Sequence, residues 1–177
     1  MRPLLTAALV AAGLTLAGCS HAPSCPEQLA EDEAVVRTTH HLDRQDLPGV
    51  GDYVEVHWQA DAAGDPCARA PGPTDWHYQD VIVMREADAA ALKAAWDWLP
   101  VSAPTPTPGY GIPASPSSGH QVNATPSDIW PTLAEYLPKS AHWMYSGAYD
   151  EAGTSSQWRD VYFDPDHAVL LVFSFDH

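Results

Sequence analysis

The stretch that decides the fold is Ala168-Val169-Leu170-Leu171-Val172-Phe173-Ser174-Phe175. From Val169 to Phe173 every position is apolar, odd and even alike. Successive strand side chains point to opposite faces, so such a run reads as a central strand of a sheet. Asp164-Pro165-Asp166 before it is a strong turn signal and sets off a second strand, Trp158 to Phe163. A third strand is expected from His142 to Tyr149. Earlier in the chain, Trp76 to Met84 reads as a strand with Val81-Ile82-Val83-Met84 as its buried end. Tyr53 to Ala60 alternates: Val54, Val56, Trp58 and Ala60 share one face, Tyr53, Glu55, His57 and Gln59 the other. That period of two predicts a half-buried strand.

Helices fill the intervals. One is expected from Pro26 to about His41, with Ser24 as cap, Pro26 in the first turn and acids near its positive end. A second spans about Glu86 to Trp98, with Ala91, Leu92, Ala95, Trp96 and Leu99 as its apolar stripe. A short third runs from Ser127 or Asp128 to Leu137. Asp61 to Thr74 reads as a loop. The expected fold is therefore α+β: a single domain with a mainly antiparallel sheet of about five strands and about two or three helices. Between the halves, Pro100 to Pro126 holds seven prolines and no Asp, Glu, Lys or Arg. It reads as a long Pro-rich loop with stretches of polyproline geometry.

Composition narrows the function. The chain has 177 residues, 45% of them hydrophobic and 18% charged, as in a globular protein. Eight Lys and Arg against 23 Asp and Glu give a formal charge of −15. Nucleic-acid binding needs clustered basic side chains, so that partner is not expected. The acidity also argues against adhesion to an anionic bilayer by charge. It would suit a basic partner, or solubility.

The start of the chain is the most specific signal. Met1-Arg2-Pro3 carries one positive charge, and Leu4 to Leu14 is apolar. Small residues follow, a pattern that defines a secretory signal and is too short for a comfortable membrane span. Leu16-Ala17-Gly18-Cys19 resembles the lipobox of bacterial lipoproteins. The resemblance implies that residues 1–18 are a signal peptide and that Cys19 is lipidated. Residues 19–25 would then be a short lipid tether, and 26–177 one extracytoplasmic domain held at the cell membrane. Acyl chains would supply an attachment that the acidic domain cannot. In overall style the chain is similar to small lipoproteins of high-GC actinobacteria, with much Ala, Pro, Trp and Asp and only Lys93 and Lys139 as lysines.

Two further cysteines remain. Export would place Cys25 and Cys67 in an oxidising compartment, where a disulfide between them is expected to contribute about 3–4 kcal/mol by closing the loop between them. Free thiols or a metal site are the alternatives, but no Cys-x-x-Cys pair supports zinc.

Catalytic and metal motifs are weak. His40-His41 with Asp43, Asp164-Asp166-His167 and Asp176-His177 are local clusters without metal-ligand spacing, so no metal and no cofactor is expected. Ser117-Ser118-Gly119-His120 has nucleophile and base types but sits in the Pro-rich loop, and no Gly-x-Ser-x-Gly elbow occurs. An enzyme is thus the secondary expectation: an envelope hydrolase with acid and His residues, His57, His77 or Asp160 among them, assembled by the fold. A metal-binding lipoprotein is a third. All seven tryptophans follow Cys19. Trp58 and Trp96 fall on apolar faces and read as core. Trp76, Tyr78 and Trp98 are the surface candidates, suited to an envelope protein or a glycan. The leading expectation is a lipid-anchored binding or interaction module.

Overall fold

The computed structural model describes residues 23–40, 42, 46–68, 75–101, 124–153 and 158–176. The leader with Cys19, and residues 102–123 of the Pro-rich loop with Ser117–His120, lie outside the described residues. So do His41, Asp43 and His177.

The elements in order are α1 (Cys25–Glu33), β1 (Glu55–Ala63), β2 (Asp75–Val83), α2 (Glu86–Ala95), β3 (Leu99–Pro100), α3 (Pro131–Ala134), β4 (Met144–Tyr145), α4 (Gly147–Ala152), β5 (Trp158–Asp164) and β6 (Val169–Asp176). A 3₁₀ turn at Pro126–Asp128 precedes α3. The six strands form one antiparallel sheet in the order β1-β2-β6-β5-β4-β3. The α+β class with a single mainly antiparallel sheet is as the sequence indicates. The sheet has one strand more than expected, because Leu99-Pro100 pairs with Met144-Tyr145. Pro100 thus belongs to the sheet edge, where a residue without an N–H is tolerated.

β6 is central, between β2 and β5. Its side chains join two cores. Leu170 and Val172 pack with Ile82, Val161, Phe163, Leu92 and Tyr149 on the face that carries α2 and α4. Leu171 and Phe173 pack with Val81, Tyr162 and Leu133 on the face that carries α3. β1 is close to the half-buried strand expected, with three of its nine residues buried. Val56 and Ala60 are buried as the alternation indicates, but His57 on the other face is buried too, at 8% exposure. β1 also runs on through Asp61 to Ala63, residues read as loop.

Three helices depart from expectation for local reasons. α1 stops at Glu33 rather than near His41. β-branched Val35, Val36, Thr38 and Thr39 follow, and such residues favour extended backbone. Arg37 there bridges the outer edge of β1, exchanging backbone bonds with Trp58 at 2.8 and 2.9 Å. α2 ends at Ala95, and its buried residues are Ala89 and Leu92, while Ala91 and Ala95 are exposed. Leu99, at 68% exposure, lies on the edge strand instead. The expected helix to Leu137 is split. Trp130 precedes Pro131, adopts ψ 140°, and separates the 3₁₀ turn from the single turn of α3. In the C-terminal third the expected strand to Tyr149 gives way after Tyr145 to α4, with Ser146 as its N-cap.

Candidate functional site

Cys25, first residue of α1, and Cys67, in the β1–β2 connection, form the expected disulfide, with Cα atoms 5.8 Å apart. α1 itself buries no side chain. Besides the disulfide it is held by Gln59, whose amide donates to the Glu33 carbonyl, by the Ala62 N–H on the Glu33 carboxylate at 3.0 Å, and by Arg37 on Asp32 at 2.5 Å.

At the same end of the sheet, Trp76 and Tyr78 share the α2 face of β2, as alternate residues must. Trp58, opposite Asp80 in the register, brings its ring to 6.1 Å from that of Tyr78. The Arg37 guanidinium lies 5.0 Å from the Trp58 ring, and the indole N–H donates to the Thr39 carbonyl at 2.6 Å. All three aromatic residues are partly buried. Burial, together with Asp176 and Asp80, pushes the Tyr78 phenol above its ordinary range, while Arg37 pulls it back. On the reverse face, His77 packs on Phe175 at 4.7 Å. Burial holds its imidazole below the ordinary range, against Asp61 and Asp75.

Trp98 is elsewhere. It is 8% exposed and belongs to the core, with its indole N–H on the Leu92 carbonyl at 3.1 Å. Its ring packs against Tyr149 at 5.2 Å and Phe163 at 5.0 Å. The early end of α2 turns the chain so that this side chain tucks beneath the helix, which removes it from the surface set. Trp58, read from its alternation as core, does pack against the α2-side core while partly buried, and its ring also joins the aromatic set.

The opposite end of the sheet carries two open depressions of about 480 Å³ each, on either side of the β5–β6 turn. Lys93, Pro165 and Asp166 border both. His167 lines one, and His142, Trp143 and Met144 line the other. Asp164, fully buried, organises the turn: it accepts the Asp166 N–H at 3.1 Å and a bond to His167 Nδ1 at 2.7 Å. Asp166 in turn lies 3.1 Å from His142 Nδ1. The Asp164-Asp166-His167 cluster is therefore a turn lock. Among the described residues, no three His, Cys, Asp or Glu side chains converge as a metal-ligand set.

His57 faces Glu55 at 2.6 Å and stacks on Tyr136 with centroids 3.6 Å apart. A third polar group pairs Asp160, one of the acids offered for the hydrolase alternative, with Asp150, which the sequence does not single out. Asp150 on α4 and Asp160 on β5 are both partly buried, and both carboxyls are raised chiefly by desolvation, to about 7 and about 6. Asp160 adds to the rise at Asp150 by its charge. Tyr145, hydrogen-bonded to Asp150, is pushed up to about 12 by burial and the surrounding carboxylates. In a chain with 23 acids, nothing local marks Asp150.

Comparison of the chain with protein-family models, with curated proteins and with solved structures yields no match in any of the three.

Proposed function

We propose that this chain is an exported lipoprotein, anchored through Cys19, whose domain binds an envelope protein or glycan. The observation that carries the reading is the Cys25–Cys67 disulfide, a bond that persists in oxidising compartments and is rare in the cytosol. It lies just after the Leu16-Ala17-Gly18-Cys19 tetrapeptide, so two independent signals of export adjoin. No helix among the described residues is long and apolar enough to cross a membrane, so membrane attachment rests on the lipid in this reading. The binding surface is the aromatic end of β1 and β2, with Trp58, Trp76 and Tyr78 as ring platforms.

Intact-mass spectrometry of the protein purified in mild detergent from its own host tests the anchor. The expected mass begins at Cys19, carries acyl chains and lacks two hydrogens. A mass beginning after Cys19, or an unmodified Cys19, sinks the reading. Retention of a partner by the wild type and its loss in Trp76→Ala tests the binding surface.

A specific observation favours a second reading. Two neighbouring carboxyls raised to about 7 and about 6 are what an acid–base hydrolase uses. Neither depression described above is lined by Asp150 or Asp160, which is why binding leads.

A further inference from the structure

Where β4 stops at Tyr145, α4 takes over the edge of β5. Asp150 Oδ1 accepts the Val161 N–H at 3.1 Å. Arg159 Nη2 donates to the carbonyls of Tyr149 and Asp150 at 3.1 and 3.2 Å, fastening the helix from below. On the same strand, Asp160 accepts the Ala124 N–H, and the Tyr162 hydroxyl donates to the Ala124 carbonyl at 2.6 Å. Two carboxyls on adjoining elements thus tie α4 and the chain at Ala124 to one strand.

Both ties leave bonds unmade. Oδ2 of Asp150 and Oδ2 of Asp160 are buried without a hydrogen-bond partner, and so is Arg159 Nη1. A buried carboxylate oxygen with no donor is costly, whereas a neutral carboxyl carries no charge to solvate. The surroundings reinforce this. Tyr145 from β4, Tyr149 and Glu151 from α4, Tyr162 from β5 and Asp128 from the 3₁₀ turn are neutral or negative. β6 offers Phe173 opposite Asp160, and among the described residues Arg159 is the cation that acts on Asp150. The Tyr145 hydroxyl and the Val161 N–H favour ionised Asp150, and the Ala124 N–H favours ionised Asp160, but desolvation outweighs them at both positions, helped at Asp150 by the charge of Asp160. Any opening that hydrates these groups is therefore favoured as they ionise.

We propose that the Asp150–Asp160 corner is a proton-operated latch: with both carboxyls protonated, α4 and the chain at Ala124 stay fastened to β5, and ionisation of the pair releases them. Opening frees the edge of β5 beyond β4, a row of backbone groups able to pair with another strand. The device rests on the corner's own geometry and holds whether or not Cys19 is lipidated.

Hydrogen exchange on the full chain between pH 5 and pH 8, corrected for intrinsic rates, tests it. Protection of the Val161 amide and of α4 should fall roughly tenfold or more across that range. The Asp150→Asn/Asp160→Asn variant should lose that dependence. Constant protection in the wild type, or the same dependence in the variant, overturns the latch. Should the variant fail to fold, carboxyl-carbon titration of the wild type decides instead. Midpoints between pH 6 and 7 that coincide with the loss of protection support the latch, and midpoints near the ordinary aspartate range of about 4 overturn it.

Discussion

Replacing Cys25 and Cys67 by serine separates what the disulfide does for the whole domain from what it does for α1. The bonded cysteines are 42 residues apart, and in the chain-entropy model a loop of that size constrains the unfolded chain by about 4 kcal/mol. With a urea slope of about 2 kcal/mol per molar, the midpoint would fall by about 2 M if the folded state were otherwise unchanged. It will not be unchanged. α1 has nine residues, buries no side chain, and is shorter than the roughly 12–15 residues an isolated helix needs. Among the described residues its remaining ties beyond the helix are four polar contacts, each worth about 1 kcal/mol. Ordering even half of the helix costs more than that, at about 1–2 kcal/mol per residue. The helix should therefore detach in the variant, returning entropy to the folded state and reducing the midpoint shift below 2 M. Hydrogen exchange should show α1 amides unprotected, while those of β2, β5 and β6 keep their pattern. A variant in which α1 stays protected would refute the reasoning, because packing and not the cross-link would then hold the helix. So would an unshifted midpoint.

Other perturbations address the core, the turn and pH. Trp98→Ala should cost about 3–5 kcal/mol in urea unfolding, and Trp76→Ala under about 1.5, since only the first empties a packed site. Asp164→Ala should cost about 2–3 kcal/mol by stripping the Asp166 N–H and His167 of their acceptor, and Asp164→Asn less, read as the same unfolding midpoints. Asp150 and Asp160 hold protons in the folded chain at pH values where the unfolded chain has lost them. Stability from this pair should thus be full below about pH 4 and decline as pH rises to about 7, and Asp150→Asn should flatten the slope. His77, lowered in the folded chain, works oppositely below its unfolded value, so the Asp variants are best measured in a His77→Asn background.

The sheet was legible because its strands carry their own evidence. Val169 to Phe173 announced a central position, and the turn at Asp164-Pro165-Asp166 separated it from β5. β3 and β4 were not legible as a pair, since two-residue strands show no periodicity. Helix ends were misjudged where extended residues compete, as at Val35-Val36, or where proline forces the residue before it, as at Trp130. The aromatic end was half visible. Trp76 and Tyr78 share a face by parity alone, but Trp98 depended on where α2 stops, and Trp58 on the sheet partner beside it. Asp160 figures in the hydrolase alternative, but Asp150 and its pairing with Asp160 were beyond reach for a different reason. Their chemistry comes from burial at a junction of α4, β5 and Ala124, which no spacing encodes.

The central position of β6 governs the order in which this protein is assembled. β6 is the last strand along the chain, yet β2 and β5 meet only through it. Until Leu170, Leu171, Val172 and Phe173 emerge, neither core has its middle. The earlier strands can make hairpins but no closed hydrophobic interior, and contacts so far apart in sequence are slow to form. A polypeptide that must thread a narrow channel gains from this delay, because premature folding would jam it. The two halves of the Cys25–Cys67 bond lie in the first half of the chain, so if the chain is exported as proposed, an oxidant can join them while β6 is still in transit. The covalent clasp would then precede the fold it serves, and the final strand would zip a molecule whose opposite edge is already fixed.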